Sequence, residues 1–195
     1  MALVLSQQPA ADELLSRDPL ALLIGMVLDQ QVPLERAFSA PYDLTQRLGH
    51  ELDASELAGY DLDALASLFA GPPALHRYPR SMAKRVQDMC RVLVERYGGD
   101  ATAVWRDVPD GETLRRRVAQ LPGFGAQKAQ IFVALLGKQY GVQPSGWREA
   151  AGGYGERSSF RSVADITDSE SLRRVREYKQ HMKAAAKATA KAPRS

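Results

Sequence analysis

The chain has 195 residues, of which 45% are apolar, 7% aromatic and 25% charged. This is ordinary for a globular protein and enough to bury a substantial core, as one domain or two small lobes. A single cysteine, Cys90, excludes a disulfide framework, a thiolate zinc site and a four-cysteine iron–sulfur cluster. The net charge of +3 is unevenly placed: from Leu172 to Ser195 eight Lys/Arg stand against Glu177 alone, a net +7, which leaves −4 on residues 1–171. A basic end on a mildly acidic body is the usual footprint of a polyanion partner, although such an end also serves simply to keep a chain soluble.

The N-terminus has no basic segment ahead of its apolar residues, so no signal peptide is expected and the protein is placed in the cytoplasm. Residues 11–17 form a short helix. A longer one runs from Pro19, well suited to a helix start, to Gln31. Leu20, Leu23, Ile24, Val27 and Leu28 share one face, and Leu22 and Met26 extend the apolar surface nearly all round. No membrane span is expected, because the run Leu20 to Leu28 is far too short. The helix ends in Asp29-Gln30-Gln31, glutamines whose ordinary use is to cap carbonyls or meet water.

Pro33 opens a helix to about Leu48 with Leu34, Ala37, Phe38 and Leu44 inward. Short helices follow at 54–59 and 61–70, then the break Gly71-Pro72-Pro73 and a long helix from Ser81 to Tyr97. Gly98-Gly99 stops it, and Asp100 caps a short helix to Trp105. His50, His76 and His181 lack metal-ligand spacing and read as surface or loop residues. Arg115, Arg116 and Arg117 stand at successive 100° rotations, so at most one or two share a direction.

Next comes Leu121-Pro122-Gly123-Phe124-Gly125-Ala126-Gln127-Lys128-Ala129, a turn between helices at 112–120 and 126–138. Pro122 stops the first helix, and the glycines let the chain reverse within four residues. The second helix then starts with free amides at Gly125, Ala126 and Gln127 where its dipole is positive, a backbone-built anion site with room for a phosphate. Spacing alone is equally met by an ordinary αα-turn with a glycine cap. Phe132, Val133, Leu135 and Leu136 anchor the second helix in the core. Gly141 to Ser159 is a Gly/Pro/Ser-rich loop with a helical turn at 146–151, and a final helix starts at Thr167, with Thr167 and Glu170 as a capping box. Leu172, Val175, Tyr178 or Lys179, and Met182 form its stripe; beyond Lys183 the Ala/Lys-rich sequence reads as frayed.

The segment LPGFGAQKA resembles the hairpin of the helix-hairpin-helix (HhH-GPD) DNA glycosylases, a superfamily named for that motif and for a Gly/Pro-rich loop ending in Asp. The resemblance implies that the hairpin, Gly123, Phe124, Gly125, Ala126, Gln127 and Lys128, grips a DNA phosphate. It also implies a monovalent cation, Na+ or K+, on the backbone carbonyls of Ala119, Leu121 and Phe124, with no other cofactor. LLIGMVLDQQVPLERAF is similar to the family stretch whose Gln enters the duplex beside the flipped base; Gln31 is the matching position, with an amide suited to an orphaned base edge.

Two positions depart from the family pattern. The lysine that forms a Schiff base in bifunctional members matches Gln127, and the aspartate about eighteen residues later matches Ser145. Gln cannot form a Schiff base, and Ser cannot offset a cationic sugar. Three readings stand: Lys128, one position late, supplies the amine; an acid displaced in the loop, Glu149, Glu156 or Asp165, replaces the aspartate in a monofunctional glycosylase; or the fold binds DNA without cutting. Trp147, Tyr154 and Phe160 are candidates to stack on an extruded base, or equally to plug the loop onto the core. The expected fold is all-α and two-lobed. Residues 1–29 with 138–183 form a terminal lobe, 30–137 a central lobe carrying the hairpin at 112–138, and 184–195 a basic disordered tail. The expected partner is double-stranded DNA, bound by a nucleoid-associated monomer.

Overall fold

The structure, a computed structural model, describes residues 3–191. Ten α-helices follow in order: α1 (Pro9–Arg17), α2 (Pro19–Leu28), α3 (Leu34–Leu48), α4 (Ala54–Gly59), α5 (Leu62–Ala70), α6 (Pro79–Tyr97), α7 (Gly111–Ala119), α8 (Ala126–Gln139), α9 (Trp147–Ala150) and α10 (Ser169–Lys191). Short 3-10 turns lie at Ala101–Val104, Gly152–Gly155 and Val163–Asp165. The described residues hold no strand, only an isolated bridge between Asp110 and Ser145, so the expected all-α class is observed. No helix among them is long and apolar enough to cross a membrane.

Aspartate side chains start many of these elements. Asp18 accepts from the amides of Leu20 and Ala21 at the head of α2, Asp53 from Glu56, Asp61 from Ala64, Asp100 from Thr102 and Asp110 from Thr113. Each carboxylate satisfies orphan N–H groups and meets the positive end of a helix dipole. α10 is capped in the same way by Asp168, not by Thr167 and Glu170 as expected. The Asp168 carboxylate accepts from the Ser171 amide at 2.7 Å, and Ser171 Oγ accepts from the Asp168 amide at 2.9 Å.

Helix α2 is the axis of the packing: Leu20 to Leu28 are all buried. It touches α1 and α3 on one side and α6 and the Ala101–Val104 turn on the other, while α4 and α5 pack on α6. The helices α7 and α8 pair with each other and with the segment from α9 to Asp165. One apolar core joins all of these from Leu3 to Val175. The expected end of α2 at Gln31 moves back to Leu28. The last helix continues past Lys183 to Lys191, its Ala/Lys repeat being a good helix former. The proposed tail at 184–195 is therefore helical as far as Lys191, and 192–195 lie outside the described residues. The apolar stripe of α10 ends early: Leu172 and Val175 are buried, but Met182 is 53% exposed.

Candidate nucleic-acid interface

The turn between α7 and α8 is built as its sequence requires. The Leu121 amide donates to Val118 O, and the Phe124 amide to Leu121 O, both at 3.0 Å. Gly123 holds φ +92°, a left-handed value that a side chain resists. Phe124 is buried; its ring meets Phe132 edge-on at 5.5 Å, and Phe132 meets Trp105 at 5.8 Å. The turn is thus bolted to the core through an aromatic stack, and only its backbone is offered outward.

That backbone is open. The α8 helix begins with neither a side-chain cap nor a proline: Gly125 is its N-cap at φ −82° and accepts no such bond. A Cβ at Gly125 would meet nothing within 4 Å. Gly125, Ala126 and Gln127 are exposed, so the first amides of a fourteen-residue helix face free space at the positive end of its dipole. On the other face of the turn, the carbonyls of Ala119 and Phe124 accept no backbone bond among the described residues, and Leu121 O accepts one. Each of the three neutral carbonyls keeps a lone pair that no backbone bond uses among the described residues.

The turn lies against the end of α2, a few residues before Gln31 in the chain. Lys128 Nζ donates to Met26 O at 2.7 Å and to Val27 O at 3.4 Å, tying the first turn of α8 to the last turn of α2. Gly123 lies against the Val27 methyls and Arg85 Cδ. Three residues beyond α2, Gln31 is exposed and held at φ +56°. A left-handed non-glycine residue is uncommon and marks a position that the surroundings over-determine. Its neighbour Gln30 does the holding: Nε2 donates to Val27 O at 2.8 Å, Oε1 accepts from Arg85 at 3.0 Å, and its carbonyl meets His76 Nε2 at 2.8 Å. His76 is buried and not a surface histidine as expected. After it, Arg77 and the 43% exposed Tyr78 sit in cation–π contact on the open side. Gln30 caps a carbonyl as its sequence position suggests, but its link to His76 and Arg85 left no local pattern, because it spans up to 55 residues.

The catalytic candidates separate. The Lys128 amine is spent on α2 carbonyls and its pKa is held down by burial, against the opposing pull of Asp29; it is not presented to the open side as a nucleophile. The Asp165 carboxylate is buried with every lone pair occupied: Lys138 Nζ at 2.5 Å, Ser159 Oγ at 3.0 Å, and the amides of Arg161 and Ser162 at 2.8 and 3.1 Å. It is a structural clamp. Glu156 pairs with Arg161. Glu149 is exposed on α9, beside Trp147, which packs on Gly137. Gly137 is twelve residues from Gly125, about 18 Å along α8. Ser145 lies at the same far end, its carbonyl accepting from Gly111 at the head of α7.

The aromatic candidates divide too. Trp147 is a plug: it is buried against Gly137 and Gly111, with the Arg148 guanidinium 4.2 Å over its ring. Phe160 is covered by Arg174 at 3.6 Å. Tyr154 does reach the hairpin, where its hydroxyl accepts from Gln127 Nε2 at 2.7 Å. Of the three arginines before the turn, Arg115 pairs with Glu112, Arg116 bonds Thr113 and Arg117 reaches Arg106 O. Basic charge comes instead from α10, where Lys179, Lys183 and Lys187 recur every fourth residue, all exposed. No group of three or more His, Cys, Asp or Glu among the described residues could hold a metal ion, and burial pushes the Cys90 thiol up to about 12.

No curated protein and no solved structure matches the chain. The family model of the HhH-GPD superfamily base excision DNA repair proteins matches residues 24–194, which takes in Gln31, the open turn and α10, and the chain belongs to that superfamily.

Proposed function

We propose that this base excision repair protein is a monofunctional DNA glycosylase, which hydrolyses the N-glycosidic bond of a damaged base in duplex DNA. The observation that carries the reading is the pairing of two exposed features on one rigid base. The uncapped amides of Gly125, Ala126 and Gln127 suit a phosphate, and Gln31, exposed at φ +56°, follows the end of α2 on which that turn is anchored. A phosphate held at the turn sets the strand's position, and Gln31 fills the space left by an extruded base. Gln127 in place of an amine, and Lys128 turned into the body, leave no free amine at the turn for a Schiff base. Water is then the nucleophile. The duplex lies between the central lobe, 30–137, and the terminal lobe, 1–29 with 138–183, and the lysines of α10 add phosphate contacts. Tyr154 and Tyr78 are the aromatics placed to stack on bases. A Na+ or K+ on the Ala119, Leu121 and Phe124 carbonyls would stiffen the turn and add positive charge near the phosphate. The protein works as a monomer in the cytoplasm, at the nucleoid, where its substrate is.

A second reading is favoured by Ser145, which supplies no carboxylate at the matched position: a non-catalytic protein that recognises distorted DNA. One experiment separates them. Labelled duplexes carrying uracil, hypoxanthine, 8-oxoguanine or an alkylated purine are incubated with the protein and then split with and without alkali. A glycosylase without lyase activity yields strand breaks only after alkali. No breaks on any duplex, with tight and salt-sensitive binding retained, would establish the non-catalytic protein instead.

A further inference from the structure

Asp29 is a carboxylate in the wrong place for stability. It is the C-cap residue of α2, where the helix dipole is negative and an anion is disfavoured. Asp18, Asp53, Asp61, Asp100, Asp110 and Asp168 sit at the starts of helical elements, where a carboxylate is favoured. No hydrogen bond reaches its carboxylate among the described residues, although its side chain is only 17% exposed. The cation paired with it, Lys179 of α10, stands 3.9 Å away and is itself 46% exposed. Lys128 lies on its other side, close enough for Asp29 to raise the amine's pKa against burial. Asp29 also lines a groove of about 320 Å³ between the start of α3 and α10, walled by Val32, Pro33, Leu34, Leu172 and Val175. Across it, Glu35 is paired with Arg176. Only a long pairing with Lys179 and the nearby Lys128 offset this broken local rule, and such a position is a candidate for function.

Asp29 links this groove to the turn: it stands two residues before Gln31 in the chain and near Lys128 in the first turn of α8. A nucleotide turned out of a duplex held at that turn would have to enter the groove to meet it. We propose that Asp29 is the catalytic carboxylate of the base-excision reaction; the assignment rests on the glycosylase reading above. In the step it serves, the C1′–N bond breaks and its electron pair leaves with the base. The sugar becomes cationic, a water oxygen bonds to C1′, and one water proton passes to Asp29 and on to solvent. The departing base takes a proton from solvent. Asp29 offsets the sugar's charge and receives the proton. Duplex phosphates compete for the half-exposed Lys179 and draw it away. Lys128, fixed to Met26 O and Val27 O, remains as the cation near Asp29. Of the other acids, Glu35 across the groove is paired with Arg176, Asp165 and Glu156 are paired too, Glu149 stands on α9 outside the groove, and Asp168 is eleven residues before Lys179, about 16 Å along α10.

The test needs no knowledge of the lesion. Duplexes are made with either a pyrrolidine nucleotide, cationic at the sugar, or its neutral tetrahydrofuran counterpart, and binding is compared for the wild type, Asp29→Asn, Asp29→Glu, Glu149→Gln and Asp168→Asn. The wild type is expected to prefer the cationic duplex by on the order of tenfold or more. Asp29→Asn removes the preference while binding the neutral duplex as before, Asp29→Glu restores part of it, and the other two variants keep it. The melting temperature of Asp29→Asn is expected to stay level or rise, whereas a merely structural ion pair would make it fall. Absence of the preference in the wild type, its survival in Asp29→Asn, or its loss in Glu149→Gln or Asp168→Asn overturns the assignment. If Asp29 carries the preference but no base is released from any duplex, the sugar-facing carboxylate stands and the glycosylase reading falls. Base release that persists in Asp29→Asn overturns Asp29 alone.

Discussion

Two glycine-rich stretches of this chain look alike in sequence and are built in opposite ways. In the loop from Gly141 to Ser159, glycine lets other groups come close and use up the polar atoms. The Trp147 ring occupies the space a Cβ would need at Gly137, Arg148 donates to Gly155 O at 2.7 Å, and Gln143 donates to Gly137 O at 2.7 Å. Asp165 closes the same region with four bonds. In the turn from Leu121 to Gly125, Gly123 lets the end of α2 and Arg85 come close, but Gly125 leaves the approach to the helix start open. Nothing stands in front of Gly125, and the amides behind it are left without partners in a protein whose other helix starts are so often capped by aspartate. What separates a structural loop from a binding site here is whether its hydrogen-bonding groups are already spent.

The comparison can be broken first at its most heavily packed point. Trp147→Ala should cost about 3–5 kcal/mol in denaturant unfolding, because it empties a site that two glycines were needed to create. A loss under about 1 kcal/mol would return Trp147 to the list of exposed base-stacking candidates. Asp165→Asn should cost about 3 kcal/mol by leaving Lys138 charged and half-paired in a buried setting. The fraction that remains folded should release bases at the wild-type rate; a folded variant with no base release would make Asp165 the missing acid after all.

At the open turn the effects should appear in binding and not in stability. Gly125→Ala needs no change of backbone, since φ is −82° and the space is empty, so it should cost less than about 1 kcal/mol. Its methyl stands where a phosphate must approach, so duplex affinity should fall and the salt slope should drop by about 1. Unchanged affinity and slope would mean that the turn meets no phosphate. The smallest effect concerns the clasp beneath Gln31. Burial holds the His76 imidazole below its ordinary pKa of 6.5, neutral, with Nε2 donating to Gln30 O and Nδ1 accepting from the Tyr78 amide. Protonation would put a second donor against that amide. The stability His76 contributes is therefore complete above about pH 6.5 and is lost as the pH falls through its lower folded value. His76→Gln should flatten that acid limb of the melting curve, and an unaltered limb would show that the clasp does not titrate.

The all-α class, the helix positions (the end of α10 apart) and the hairpin were legible in the sequence, because each rests on local physics. Apolar spacing, Asp caps and glycine stops act over one or two turns of chain. The resemblance to the glycosylases could be read for the same reason, since the hairpin's nine residues contain the whole of its backbone geometry. The site's other half was not legible. Asp165 reads as a free loop acid until the fold brings Lys138 and Ser159 to it, and Trp147 reads as a base platform until Gly137 is found beneath it. His76 and Arg85 gain meaning only when they meet Gln30 across 46 and 55 residues. The sequence by itself determined which backbone could be left open, since proline and glycine act where they stand. Only the tertiary structure decided which side chains were still free to act, because whether a polar group is spent depends on partners that chain separation hides.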